Sequence, residues 1–186
     1  NVSEVITTPL TSVASNIPIL SLGAKPVWAD CEKNTGMIDP KSIESKITDR
    51  TKAILVLHKE GDLAKMDEIL SIGKRYNIKI VEDAAHAFGV RYKDSSILNY
   101  GDISTLSFHA TKVFHSIEGG ALIINDDSLV EKARYLINFG IKSTEEIPEL
   151  GTNAKMNEFE AVMGLCMLDD MKELDVKRKI VYESYK

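Results

Sequence analysis

The chain has 186 residues, of which 44% are hydrophobic and 27% charged, a composition typical of a globular protein and unlike that of a disordered chain. At about 150 residues per domain, this length predicts a single domain with a core of its own. Lys and Arg total 23 against 28 Asp and Glu, a net charge of -5, which argues against a nucleic-acid partner because phosphate binding needs a basic surface.

Neither a membrane segment nor a cysteine-based scaffold is indicated. The apolar runs are all shorter than the roughly 18 residues that span a bilayer, and no signal peptide is evident. Cys31 and Cys166 lie far apart without CxxC spacing, so neither a disulfide framework nor a thiolate zinc site is predicted. We expect a cytoplasmic protein without a membrane partner.

The first elements that periodicity predicts are a helix and a strand. Asp39 before Pro40 places a capping residue ahead of a proline at the first helical position, and Ile43 and Ile47 then recur four residues apart. The apolar run at 53–57 is too short for a helix and predicts a buried strand.

Strands and helices continue to alternate after this point. A helix is expected over 67–76, ending at Asn77, a residue that tolerates left-handed backbone. Buried strands are predicted at 78–81, 106–108 and 121–124.

Two further helical patterns lie at 127–139 and 157–168, and the second pattern continues toward Lys186. Alternating strands and helices favour right-handed crossovers. The predicted fold class is therefore α/β, with helices on both faces of a mostly parallel sheet.

Polar residues that follow the apolar runs are candidates for chemistry, because ligands of open α/β sheets bind beyond the carboxyl ends of the strands. Glu82 and Asp83 follow one predicted strand and precede Ala84 and Ala85, whose small side chains let a planar ligand approach. Asp83 is the stronger candidate. The alternative is that it only caps a helix beginning at Ala84.

A second candidate is Lys112, in the sequence Ser-Phe-His-Ala-Thr-Lys at 107–112. A lysine is more often a solvated charge than a nucleophile. Here, however, an apolar and aromatic neighbourhood favours the neutral amine that Schiff-base formation requires. Gly119 and Gly120 are best interpreted as a turn before the next strand.

These motifs together resemble the DegT/DnrJ/EryC1/StrS family of pyridoxal-phosphate sugar aminotransferases. The resemblance rests on residues 82–89 (EDAAHAFG), 100–103 (YGDI), 107–112 (SFHATK), 118–121 (EGGA) and, toward the two ends, 5–11, 23–27 and 151–158. It implies the central part of the large domain of a fold-type I transferase over 1–186. We expect the family's phosphate-loop segment and its small domain to lie outside this chain.

The resemblance assigns roles to five residues. Lys112 matches the lysine that forms the Schiff base with pyridoxal 5'-phosphate, and Asp83 matches the acid paired with the pyridine nitrogen. His86 matches a position near the phenolic oxygen of the cofactor, and Ser107 matches a ligand of its phosphate. Asn153 matches an asparagine that reaches the phosphate from a neighbouring subunit, which implies a homodimer with a shared active site.

The implied reaction moves an amino group from an amino acid, with glutamate the expected donor, to a nucleotide-linked keto-deoxy sugar. A 4-keto-6-deoxy sugar used for surface polysaccharide is expected. One departure from the family is Ser12, where members commonly place an aromatic residue that stacks on the cofactor.

Three alternatives remain open at this point. One is a sugar dehydratase that uses a pyridoxamine cofactor, although the members concerned lack the lysine that Lys112 supplies. Another is a non-catalytic protein that binds a partner subunit or a sugar nucleotide. The third is a metal-dependent hydrolase that uses Asp83, His86 and His109, for which the sequence offers no HExxH or HxxxH pair.

Overall fold

The computed structural model describes residues 2–186 and divides into two compact units. Unit 1 comprises the described residues up to Leu106 together with Leu122–Asp127, and unit 2 comprises Ser107–Ala121 and Ser128–Lys186. Each unit is described by itself below.

The strands of the described chain fall into a large sheet and a small hairpin. They are β1 (Glu4–Thr7), β2 (Lys25–Trp28), β3 (Thr51–Leu57), β4 (Lys79–Asp83), β5 (Arg91–Tyr92), β6 (Ser95–Ser96), β7 (Ile103–Ser107) and β8 (Gly120–Ile124). The large sheet has the order β2-β1-β3-β4-β7-β8, and β5 pairs with β6.

The pairs β1·β2, β1·β3, β3·β4 and β4·β7 are all parallel. Parallel register places Leu57 beside Asp83 and Asp83 beside Thr105, so their strands end at the same edge of the sheet. The predicted α/β class with a mostly parallel sheet is confirmed. Each of the four predicted strands overlaps an observed one, β3, β4, β7 or β8, although β7 begins three residues before the predicted 106–108 and ends at Ser107.

The core of unit 1 lies between the sheet and its helices. Ile6, Ile54 and Val56 of the central strands are fully buried, and so are Met66 and Ile69 of the helix that follows β3. Each such side chain contributes about 1.5–3 kcal/mol through burial. This packing fixes the strand ends at which the candidate residues lie.

Helices α2 (Pro40–Ser45) and α3 (Met66–Tyr76) confirm two predictions. The side chain of Asp39 caps α2 by accepting a hydrogen bond from the amide of Lys41 at 2.9 Å. Asn77 closes α3 in the left-handed conformation, with φ of 54°.

Elsewhere the observed helices differ from those predicted from the sequence. Helix α1 (Val13–Ser21) was not predicted, and it contains Pro18, which supplies no amide hydrogen to the helix. Residues 84–90, all described, form turns, so the interpretation of Asp83 as the cap of a helix starting at Ala84 is wrong.

Unit 2 contains α4 (Val130–Leu136) and α5 (Glu158–Ser184). Helix α4 is shorter than the predicted 127–139 because a 3-10 turn precedes it. Helix α5 continues well past residue 168, and Asn157 and Glu160 form a capping box at its start. Even this long helix falls short of the apolar character needed to cross a bilayer, as do all helices of the described residues.

Candidate functional site

The candidate residues divide between the two units. Unit 1 contains Asp83 and His86, whereas unit 2 contains Ser107, Lys112 and Asn153.

Asp83 is the last residue of β4, and both of its carboxylate oxygens accept hydrogen bonds. The amide of Ala85 donates to Oδ1 at 3.1 Å, which makes a turn of the Asx type. The hydroxyl of Ser15 donates to Oδ2 at 2.5 Å. The main chain is held as well, because the amide of His58 donates to the Asp83 carbonyl at 3.0 Å. The half-buried carboxylate is therefore anchored in one orientation.

Ser15 lies in the first turn of α1, and Thr11 lies 2.6 Å from it, hydroxyl to hydroxyl. The positive end of the α1 dipole favours a negative charge at this place. Neither partner was predicted from the sequence, because α1 was not. The available signal was Ser12, a good N-cap residue, followed three residues later by Ser15.

Ser12 itself caps α1, and its exposed hydroxyl accepts a hydrogen bond from the amide of Ala14 at 3.3 Å. The departure from the family's aromatic residue therefore has a local structural role. A serine hydroxyl offers no ring face for stacking.

His86 is exposed in the turn after β4. Its Nδ1 accepts a hydrogen bond from the amide of Glu60 at 3.1 Å, and Glu60 has a left-handed backbone with φ of 55°. Because Nδ1 accepts, the neutral ring carries its proton on Nε2. His86 can thus donate one hydrogen bond from Nε2.

A fully buried pair that was not predicted from the sequence lies beside this site. His58 Nε2 lies 2.7 Å from Glu82 Oε2, and neither side chain is exposed. The other Glu82 oxygen, Oε1, accepts hydrogen bonds from the amide of Gly101 and the hydroxyl of Ser104. The described residues contain no group of three or more His, Cys, Asp or Glu side chains able to hold a metal ion.

In unit 2, Lys112 lies in the loop 108–119 between β7 and β8. Its amide donates to the His109 carbonyl at 2.9 Å, and the amide of Phe108 donates to the Gly119 carbonyl at the same distance. The rings of Phe108 and Phe114 meet edge to face, with centroids 4.8 Å apart. The loop that contains Lys112 thus holds one aromatic contact of its own.

The side chain of Lys112 is half-buried. Within the described part of unit 2, it enters no ion pair, which is also true of the exposed Lys172 and Lys179, whereas Lys132, Lys142 and Lys177 each bind a glutamate. Its amine is thus free of an anionic partner there.

Three further features of unit 2 bear on the predictions. The Ser107 hydroxyl, at the end of β7, accepts from the amide of His109 at 3.3 Å. Gly119 has φ of +133° and directly precedes β8, whose first residue is Gly120, so the predicted turn at these two glycines is wrong in position: the chain bends at 117–118 instead. Asn153 is exposed and forms an isolated antiparallel bridge with Asn138.

These residues fit pyridoxal phosphate in their chemistry. An anchored carboxylate suits a protonated pyridine nitrogen, and an amine without an ion pair suits Schiff-base formation. The Asp83 oxygens each accept one hydrogen bond and retain a second lone pair.

Comparisons with known proteins agree with this chemistry. The model of the DegT/DnrJ/EryC1/StrS aminotransferase family matches residues 1–186. A dTDP-4-amino-4,6-dideoxy-D-glucose transaminase from Shigella dysenteriae is 45% identical over 168 residues, which are 90% of this chain and 46% of the relative. A GDP-perosamine synthase from Caulobacter vibrioides is 36% identical over 96% of this chain and 49% of its own.

A solved structure is also similar. It is that of PseC from Helicobacter pylori, an aminotransferase involved in the biosynthesis of pseudoaminic acid, with a TM-score of 0.85 and 32% identity over 91% of this chain and 47% of that protein. The chain thus spans about half the length of the relatives it matches.

Proposed function

The chain belongs to the DegT/DnrJ/EryC1/StrS aminotransferase family, and on this premise we propose that it carries cofactor-binding and catalytic residues of a sugar-nucleotide aminotransferase. The observation that carries the proposal is Lys112, a half-buried amine without an ion pair in its own unit, in a loop closed by backbone hydrogen bonds. A dehydratase of the resembling type lacks this lysine, so its presence favours transamination.

Pyridoxal phosphate, when bound, supplies an electron sink for the carbanion formed when the amino donor loses its α-proton. Asp83 would hold the proton on the ring nitrogen, and Lys112 would take and return the proton at the reacting carbon. His86 would donate from Nε2 to the phenolic oxygen. Ser107 and Asn153 would bind the phosphate.

The proposed acceptor is a nucleotide-linked keto-deoxy sugar, with a 4-keto-6-deoxy sugar and glutamate as the specific pair. The Shigella dysenteriae relative, named for a 4-amino-4,6-dideoxy sugar, supports this choice. We also propose a cytoplasmic homodimer in which Asn153 acts on the neighbouring site, and the exposure of Asn153 is consistent with that role.

The test is chemical trapping. The chain is mixed with pyridoxal phosphate, reduced with borohydride and digested, and mass spectrometry locates the phosphopyridoxyl group. We expect one dominant adduct on Lys112, which Lys112→Ala abolishes and Lys142→Ala, a change at an exposed lysine of the same unit, leaves intact. Labels spread over surface lysines would contradict the assignment.

A further inference from the structure

We propose that Ser15, supported by Thr11, is a positioning residue that fixes the Asp83 carboxylate for the cofactor's ring nitrogen. This inference rests on the proposed function for its purpose. Its structural content, that the two hydroxyls hold the carboxylate, can be tested without the cofactor.

The direction of the hydrogen bonds follows from counting protons. A serine hydroxyl has one proton, and Ser15 donates it to Asp83 Oδ2 at 2.5 Å. In the 2.6 Å contact between Ser15 and Thr11, Thr11 must therefore be the donor. The two hydroxyls form a chain that runs from Thr11 through Ser15 to the carboxylate, and each link polarises the next.

The position of Ser15 is itself fixed. Its neighbour Asn16 accepts from the hydroxyl of Thr7 at 2.8 Å and donates to the carbonyl of Thr8 at 3.3 Å. These contacts tie the first turn of α1 to the end of β1. Ser15 therefore reaches Asp83 from a helix that is anchored to the sheet.

Both carboxylate oxygens are restrained from different directions. Oδ1 accepts from the Ala85 amide in the turn that follows β4, and Oδ2 accepts from α1. Loss of either bond leaves only one bond to restrain rotation of the carboxylate about its Cβ–Cγ bond. Ser15 thus controls the orientation of a group that lies on a different element.

The first experiment measures amide hydrogen exchange by NMR in the chain without cofactor. In Ser15→Ala, we expect the Ala85 amide to exchange roughly fivefold faster, because its own hydrogen bond to the carboxylate is weakened but not removed. The Ala84 amide, which donates to the Thr105 carbonyl at 3.0 Å, serves as an internal reference and should not change.

Three variants separate the hydroxyl chain from general loosening of α1. Ser15→Thr keeps the hydroxyl and should restore slow exchange at Ala85. Thr11→Val lies outside α1 and should give a smaller increase in the exchange rate of the Ala85 amide. In this variant Ser15 still donates to Asp83 but no longer accepts a hydrogen bond from Thr11. Ser21→Ala removes an exposed hydroxyl at the far end of α1 and should have no effect.

The second experiment measures the dissociation constant of pyridoxal phosphate by absorbance titration. Ser15→Ala should raise it roughly tenfold, as expected for loss of a hydrogen bond to a charged group, and Ser15→Thr should recover most of the affinity. Trapping on Lys112 in the unsubstituted chain tests the proposed function separately.

The outcomes are distinct. Unchanged exchange at Ala85 in both Ser15→Ala and Thr11→Val would overturn the positioning role, whatever the trapping shows. Absence of the Lys112 adduct together with faster exchange at Ala85 would refute the proposed function and support the positioning of Asp83.

Discussion

Replacing Glu82 with alanine is expected to destabilise unit 1 strongly, because Glu82 is the acceptor for several buried donors. His58 Nε2 lies 2.7 Å from one carboxylate oxygen, and the amide of Gly101 donates to the other. Ser104 also donates to Glu82 but has a second acceptor in the carbonyl of Leu98. Two donors would thus lose their acceptor in Glu82→Ala.

The magnitude follows from these two groups. A buried donor left unsatisfied costs about 1–3 kcal/mol, so Glu82→Ala should lose about 2–6 kcal/mol before the cost of the cavity is added. A domain has only about 5–15 kcal/mol of stability in total. In Glu82→Gln the amide oxygen can still accept from Gly101, but the amide NH2 can donate to the His58 ring only if the ring proton moves to Nδ1, a buried atom with no hydrogen-bond partner among the described residues. The loss should therefore be smaller than in Glu82→Ala but still measurable.

Urea unfolding followed by circular dichroism provides the measurement. Glu68→Ala, at an exposed acid of α3, is the matched control and should stay within about 0.5 kcal/mol of the unsubstituted chain. If Glu82→Ala unfolds at the same urea concentration as this control, the buried pair does not contribute to stability as argued.

Two further predictions concern backbone strain and pH. In Gly140→Ala the new Cβ would clash with the backbone carbonyl oxygen of Glu149, so the urea midpoint should fall clearly further than in Gly23→Ala, where φ is also positive but nothing lies within 4 Å of the new Cβ. Equal shifts of the two midpoints would contradict this. Hydrogen bonds from Thr48 and then Arg50 lower the pKa of Glu4 below its usual 4.5. This contribution to stability is complete above the unfolded pKa of Glu4 and is lost as pH falls through the folded pKa. Glu4→Gln should therefore reduce the fall in melting temperature at acid pH. An unchanged fall would refute the contribution of Glu4.

The sequence was sufficient to predict the helix ends and strands that depend on a few neighbouring residues. Asp39 before Pro40 marked the start of α2, and Asn77 marked the end of α3, because capping and left-handed closure depend on one or two residues. The short apolar runs marked four strands for a similar reason. In each case the residues that allow the prediction lie within the helix or strand or directly beside it.

Contacts distant in sequence could not be predicted in this way. Ser15 and Asp83 are separated by 68 positions, and only the parallel order of the sheet and the anchoring of α1 bring them together. Helix α1 was also not predicted. It contains Pro18, and a proline normally argues against the interior of a helix. The partners of the candidate acid were therefore missed although the acid itself was found.

The two neighbouring acids at the end of β4 show why one sequence motif supports two different roles. Successive side chains of a strand point to opposite faces, so Glu82 and Asp83 cannot share an environment. Glu82 is fully buried and is bound by His58, Gly101 and Ser104, whereas Asp83 is half-buried and keeps lone pairs for a ligand. Because the His58 amide also donates to the Asp83 carbonyl, the buried pair holds the backbone of the residue proposed to act on the cofactor, and loosening Glu82 should therefore disturb Asp83 as well.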